Sequence, residues 1–158
     1  MAEDHGTKRA AQEYLAAKLS EEHQQIEDEL NRQTAASRAL AVWKQVSDTV
    51  SAKCRDWNAI TSEQTLTCKE TLLGDLRIRC AGRNHHIVVH FDSSQLVVVI
   101  KNSARPENET DTVLTIEGHR TEDGRDAHLV RNNEPINLDM LILSHLRVLA
   151  GLARTAEQ

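Results

Sequence analysis

Three of the chain's eight histidines lie within the segment GRNHHIVVHFDSS, residues 82–94. Imidazole binds transition metals and transfers protons near neutral pH, so His85, His86 and His90 have the clearest capacity for chemistry in this sequence. In an α-helix His86 and His90 would lie one above the other and could chelate one ion. The secondary structure of this segment therefore decides between a metal or acid–base site and an ordinary surface.

The residues around the histidines predict a strand. Apolar, mostly β-branched residues separate His86 from His90, and turn-forming residues flank the segment on both sides. In a strand, His86 and His90 share one face but lie roughly 13 Å apart, while His85 points to the other face. Two rings at that separation cannot ligate one ion without help from elsewhere, so we expect neither a metal site nor a cofactor here.

The next segment, Leu96–Ile100, is apolar throughout and predicts a second strand after a turn at Ser93-Ser94. In that hairpin Ile87, Val89 and Phe91 face the core. The other face then places His90 opposite Val97, Val88 opposite Val99, and His86 opposite Lys101. With two arginines from the preceding strand, this gives a candidate binding face, here called the outer face, made of Arg77, Arg79, His86, Val88, His90, Val97, Val99 and Lys101.

Three interpretations of the outer face are open. The simplest is the polar side of a strand that happens to carry imidazoles. The second is a partner-binding or self-binding surface, because its valines would form an apolar stripe that needs a cover. The third is a metal or acid–base site. Arg77 and Arg79 could bind an anion beside the histidines, although solvated charges are the commoner arrangement on such a face.

Residues 7–57 contain no Pro or Gly and predict a long helix. Thr7 can cap its start, and Ser20 offers a second cap if the helix is broken there. A heptad frame of apolar residues is convincing from Ala36 onward, and it predicts that four of them bury against the domain while residues 21–33 stay exposed. Those four are Leu40, Trp43, Val50 and Trp57. The candidate helix interface consists of Leu15, Leu19, Ile26, Leu30, Ala36 and Leu40.

An unbroken helix of about 50 residues would be roughly 75 Å long, which exceeds the width of a domain of this size. A single polar helix that projects into solvent gains little from packing. We therefore expect the helix to pair with another chain, which predicts a homodimer or other homo-oligomer, or a protein partner.

Residues 64–131 change to period-2 patterns separated by turn signals, and they predict about six antiparallel strands in a meander. Asp123-Gly124 indicates a type I′ hairpin. Residues 137–154 predict a C-terminal helix with Asn137 as its N-cap, packed on the sheet. The predicted fold is α+β. Residues 1–62 form the helical arm and residues 63–158 the sheet and second helix, with residues 36–57 docking to give one compact domain.

Composition excludes several classes of function. The net charge of −5 is spread along the chain, with 8 basic against 11 acidic residues in 1–63 and 11 against 13 in 64–158, so nucleic-acid binding is not expected. No apolar stretch is long enough to span a membrane, and the first residues lack an apolar signal region. Cys54, Cys68 and Cys80 fit no disulfide or zinc pattern, which favours reduced thiols in a cytoplasmic protein.

The sequence favours a non-catalytic protein that associates with itself or with a partner through its long helix. The alternative is a small-molecule or peptide-binding module that uses the outer face around His86 and His90. A hydrolase-like enzyme with histidine acid–base chemistry is the third hypothesis.

Overall fold

The structure, a computed structural model, describes residues 5–106 and 109–152 of the 158-residue chain. Helix α1 extends over His5–Thr61, 57 residues without a break, which gives a length of about 85 Å. The cap predicted at Thr7 was wrong, because Thr7 lies inside the helix, and the possible break at Ser20 does not occur. No Gly or Pro between them interrupts the hydrogen-bond ladder. The helix ends where Ser62 takes a positive φ of 56°.

An antiparallel sheet follows, with its strands arranged in the order of the chain. The strands are β1 (Leu66–Glu70), β2 (Leu76–Cys80), β3 (His86–Asp92), β4 (Val97–Asn102), β5 (Thr112–Thr121), β6 (Gly124–Arg131) and β7 (Glu134–Pro135). Helix α2 covers Leu138–Leu149. The α+β meander is confirmed, although the sheet has seven strands within the described residues where about six were predicted. The additional strand β7 has only two residues, too few to show a period-2 pattern.

One hairpin has different turn residues from those predicted, and another hairpin was not predicted. Between β6 and β7, both central residues of the Asn132-Asn133 turn have positive φ, 54° and 65°, as a type I′ turn requires. The type I′ turn predicted at Asp123-Gly124 was wrong, because Gly124 pairs with Thr121 and belongs to β6. Glu122 and Asp123 are the loop residues of that hairpin, and neither has a positive φ.

The core lies between one face of the sheet and the two helices. The strands contribute alternate residues that register across the sheet, such as Ile78 opposite Ile87 and Val98 opposite Leu114. Helix α2 contributes Ile142, Leu146 and Leu149. The buried stripe of α1 consists of Ala35, Ala39, Val42, Val46, Val50 and Cys54.

The face of α1 that packs on the sheet is rotated from the predicted one. Leu40 was expected in the core but is 74% exposed, whereas its neighbour Ala39 is buried. Val50 is fully buried, and Trp43 and Trp57 pack at the edge of the core in half-buried positions. Small alanines allow the helix backbone to approach the sheet closely, and a leucine at the same place would hold it away.

The β5–β6 hairpin fixes the middle of α1. Gly118 lies so close to the helix that a Cβ atom at this position would be 2.1 Å from the backbone oxygen of Asn31. Beside it, Arg125 donates to the Asn31 side chain at 2.7 Å and to both carboxylate oxygens of Glu27, which also accepts from Arg120. Hydrogen bonding from Arg125 and the charges of both arginines hold the pKa of Glu27 below its usual value against the effect of desolvation.

Helix α2 begins as predicted. The Asn137 side chain accepts a hydrogen bond from the Met140 backbone N–H at 3.1 Å, which confirms the N-cap. The helix ends at Leu149 instead of residue 154, because Gly151 takes a φ of 83° and its N–H bonds to the Val148 carbonyl. Residues 153 and 154 lie outside the described part of the chain.

Candidate functional site

The structure places the predicted outer-face residues together on the side of the sheet away from both helices. This follows from the register, in which Arg79 pairs with His86 and Val88 with Lys101, while the core residues alternate with them. Arg77, Arg79, His90 and Lys101 are exposed, and His86, Val88, Val97 and Val99 are partly exposed. No helix covers this face among residues 5–106 and 109–152.

The pairing of β3 with β4 differs by two residues from the predicted one. His90 lies opposite Val99, where Val97 was expected, and Asp92 pairs with Val97. The cause is a longer turn. Asp92 Oδ1 accepts hydrogen bonds from the backbone N–H groups of Ser94 and Gln95 at 3.0 and 3.1 Å, and from the Ser94 hydroxyl at 2.7 Å. The turn then closes at Leu96, which has a φ of 54°.

The two outer-face imidazoles have different surroundings. His90 Nδ1 lies 2.6 Å from Asp75 Oδ1, a contact that can orient an imidazole for proton transfer. His86 lies among cations. Partial burial, followed by the charges of Arg77, Arg79 and His85, lowers the pKa of His86 below its usual value. His86 thus favours the neutral form, whereas His90 has a carboxylate partner.

The three histidines of the opening motif do not converge on one point. His85 precedes β3, and its Nδ1 lies 3.3 Å from the Ser103 hydroxyl. No group of three or more His, Cys, Asp or Glu side chains has the geometry of a metal site among the residues that the structure describes. The arrangement presents imidazoles side by side along a strand instead of around a centre.

The outer face continues onto β5 and β6, which the sequence reasoning missed. Glu117 pairs with His128, and His119 pairs with Asp126. The Nδ1 atoms of His119 and His128 lie 2.7 Å apart, with the rings edge to face. In this contact one nitrogen donates and the other accepts, which couples the tautomers of the two rings. The signal was present in the sequence, because polar residues alternate with Leu114, Ile116 and Leu129.

Charge changes sign across this extended face. The β1–β2 side carries Lys69, which pairs with Arg77, and Arg79 two residues further along β2, and all three are exposed. The β5–β6 side carries Glu117 and Asp126. The valines lie between the two sides, and Val113 of β5 is 48% exposed. Such a surface can position a polar ligand by charge at either end and an apolar group at the centre.

A second candidate surface lies on α1. At roughly 100° per residue, Leu15, Leu19, Ile26 and Leu40 fall within a sector of about 60°, on the side of the helix opposite the buried stripe. Leu15, Leu19 and Ile26 are each 57% exposed and Leu40 is 74% exposed. Ala36 is exposed and Leu30 is partly exposed. We call the four exposed apolar residues, Leu15, Leu19, Ile26 and Leu40, the outward stripe.

A buried polar cluster joins β4, β5 and α2, and no local pattern in the chain indicates it. Asn102 Nδ2 lies 3.3 Å from His145 Nδ1 and donates to the His145 carbonyl at 3.1 Å. Thr112 Oγ1 lies 3.2 Å from His145 Nε2. Both imidazole nitrogens thus contact side chains of the sheet, so His145 anchors α2. It also borders a cleft of about 840 Å³ that Arg105, Arg131 and Met140 help to line.

No protein-family model, curated protein or solved structure matches the chain. Among the described residues, no helix has both the length and the apolar character needed to cross a membrane. The geometry of the outer face and of the outward stripe therefore carries the functional argument.

Proposed function

We propose that the chain is a non-catalytic, self-associating protein whose helix α1 pairs with α1 of a second copy. The observation that supports this most is the position of the outward stripe. The domain already covers one side of α1, yet Leu15, Leu19, Ile26 and Leu40 line the opposite side and are more than half exposed. Apolar residues that recur on the free side of a docked helix are the pattern of a helix–helix seam.

Reversible dimerisation of the full chain tests the proposal. Sedimentation over a range of protein concentrations should show monomer and dimer in exchange. A monomer at every concentration, including concentrations of several hundred micromolar, would contradict it.

The order of residues along the seam favours an antiparallel pair. In a parallel pair, Glu22 and Glu29 would each face their own copy in the seam, and like charges there repel. In an antiparallel pair, Leu15 faces the partner's Leu40, Leu19 faces the partner's Ala36, and Glu22 faces the partner's Gln33. Both glutamates thereby avoid a carboxylate neighbour.

This arrangement predicts the effect of Gln33→Lys. The new ammonium would face the partner's Glu22 in an antiparallel dimer, and we expect association to strengthen about two- to fivefold at low salt, in line with exposed ion pairs. In a parallel dimer two lysines would face each other and association would weaken. Gln25→Lys is the matched control, because Gln25 is also exposed on α1 but lies off the seam. Sedimentation at two salt concentrations distinguishes the outcomes.

The second candidate function is a peptide- or small-molecule-binding module that uses the outer face. The outer face is basic, and charge changes sign where it continues onto β5 and β6, with exposed valine between, which favours this module over a simple solvated sheet surface. The basic side near His86 and Arg79 would take an acidic group of the ligand. The hydrolase-like alternative has only the contact between His90 and Asp75, and within the described residues no serine or cysteine is found hydrogen-bonded to that imidazole.

Replacing His86 and His90 together by Thr tests whether the dimer interface is α1 or the outer face. The outer face and the outward stripe lie on opposite sides of the protomer, so the double variant should fold and dimerise with an unchanged dissociation constant if α1 is the interface. Thr is a good strand residue, and the lost contact with Asp75 is exposed and worth less than about 1 kcal/mol. A clear loss of dimerisation would instead identify the outer face as the interface.

A further inference from the structure

Two of the three cysteines, Cys54 and Cys68, interact where the end of α1 meets the edge of the sheet. Asn58 fixes this junction, since its side chain donates to the Leu66 carbonyl at 2.8 Å and accepts from the Leu66 N–H at 2.9 Å. Cys54 lies one helical turn before Asn58, on the same side of the helix. Cys68 lies two residues beyond Leu66, on the same face of β1. Cys54 and Cys68 are thus each one repeat of their element away from the Asn58–Leu66 contact, and this places the two thiols side by side.

The environment makes the two thiols unequal. A hydrogen bond with Cys54 lowers the pKa of Cys68 to about 7; burial opposes this shift and the Ser51 hydroxyl adds to it. The same contact, together with burial, raises the pKa of Cys54. Cys54 is buried and Cys68 is only partly buried. Cys68 is thus the thiol that can be a thiolate near neutral pH and that solvent can approach.

We propose that Cys54 and Cys68 form a reversible redox site, with Cys68 as the attacking thiol and Cys54 as the resolving thiol. The oxidant is a low-molecular-weight disulfide such as oxidised glutathione. The Cys68 thiolate attacks one sulfur of that disulfide, its S–S bond breaks, and one thiolate leaves. Cys54 then loses its proton to solvent and attacks the Cys68 sulfur, which expels the second thiolate. Two protein thiols become one disulfide, and the small disulfide becomes two thiols.

The bond would attach the last turns of α1 to β1, the edge strand of the sheet. It involves neither the outward stripe nor the outer face, so it is independent of the proposed self-association. Cys80 provides an internal reference, because it is also buried but its sulfur contacts the Ala81 carbonyl at 3.8 Å.

Peptide mapping of the full chain after treatment with oxidised glutathione tests the proposal. Trypsin cleaves after Lys53, Arg55, Lys69 and Arg79, so each cysteine falls in its own peptide. We expect a disulfide that joins the Cys54 and Cys68 peptides as the main product, while Cys80 remains open to alkylation after denaturation. The oxidation rate should reach half of its plateau near pH 7, where Cys68 ionises.

Three serine variants complete the test. Cys54→Ser should accumulate a stable glutathione adduct on Cys68, Cys68→Ser should lose the reaction, and Cys80→Ser should behave as the wild type. Far-ultraviolet circular dichroism checks that each variant folds. The peptide map of the wild type tests the proposal even if a variant fails to fold. A product joined through Cys80, an adduct on Cys68 that persists in the wild type, or three unreacted thiols would each overturn the proposal.

Discussion

Replacing Leu15, Leu19 and Ile26 together by Gln should raise the dissociation constant of the homodimer at least about a hundredfold, the equivalent of roughly 2.7 kcal/mol. Each of these side chains is 57% exposed in the protomer, so burial in a dimer would remove a large apolar area from water. In a dimer with twofold symmetry, each substitution is present in both chains, so the interface loses six apolar side chains. Even a fraction of the usual value for burying a leucine then exceeds the stated change.

The variant should leave the protomer intact. All three positions precede the buried stripe, which begins at Ala35, and Gln has nearly the helix propensity of Leu. Urea denaturation of the monomer at high dilution should therefore show a change in the free energy of unfolding of no more than about 0.5 kcal/mol, the range of surface substitutions. Sedimentation of the variant beside the wild type measures the dissociation constants.

Tyr14→Gln is the matched control. Tyr14 is 66% exposed, next to Leu15 in the chain, but roughly 100° away around the helix. The Tyr14→Gln substitution removes more apolar area than any single change in the outward stripe, and it should leave dimerisation nearly unchanged. An equal loss from Tyr14→Gln would mean that the arm associates without a defined seam. Unchanged dimerisation of the triple variant would remove α1 as the interface.

The position of Leu40 shows why the sequence located the long helix correctly but misassigned its faces. A heptad frame follows the larger apolar residues, and it placed Leu40 in the same seam as Trp43 and Val50. In the structure α1 has two apolar sides, one of small residues such as Ala35 and Ala39 against the sheet and one of leucines outward. Alanine carries little weight in a hydrophobic pattern, although close packing on a sheet favours it.

The outer face shows the same division between local and distant information. Alternation fixed which residues of β3 and β4 share a face, because a strand has period 2. The pairing was off by two residues because the Asp92 side chain holds a longer turn than Ser93-Ser94 alone predicted. His145 and Asn102 are 43 residues apart in the chain, and no local pattern can indicate that they meet. Their contact depends on the docking of α2.

Gly118→Ala should destabilise the protomer by about 1–3 kcal/mol, the usual cost of forcing an extra group into a packed region. The new Cβ would be 2.1 Å from the Asn31 carbonyl oxygen and 2.9 Å from its carbonyl carbon, both backbone atoms of α1. A helix backbone cannot yield as a flexible side chain can. The β5–β6 hairpin would have to move away from α1, and the hydrogen bonds of Arg125 to Glu27 and Asn31 would lengthen.

The sign of this change is diagnostic, because Gly→Ala within a strand normally stabilises by about 0.5–1 kcal/mol through backbone entropy. Urea unfolding measures the midpoint, and hydrogen exchange should show faster exchange in the β5–β6 hairpin and around Asn31 but not at β2 and β3. Glu27→Gln is the control for the polar contacts alone. It keeps the shape of the side chain, removes its charge beside Arg120 and Arg125, and should cost less than Gly118→Ala. A midpoint that rises in Gly118→Ala would show that the helix and hairpin separate freely, and the close approach at Gly118 would then have no part in fixing the arm.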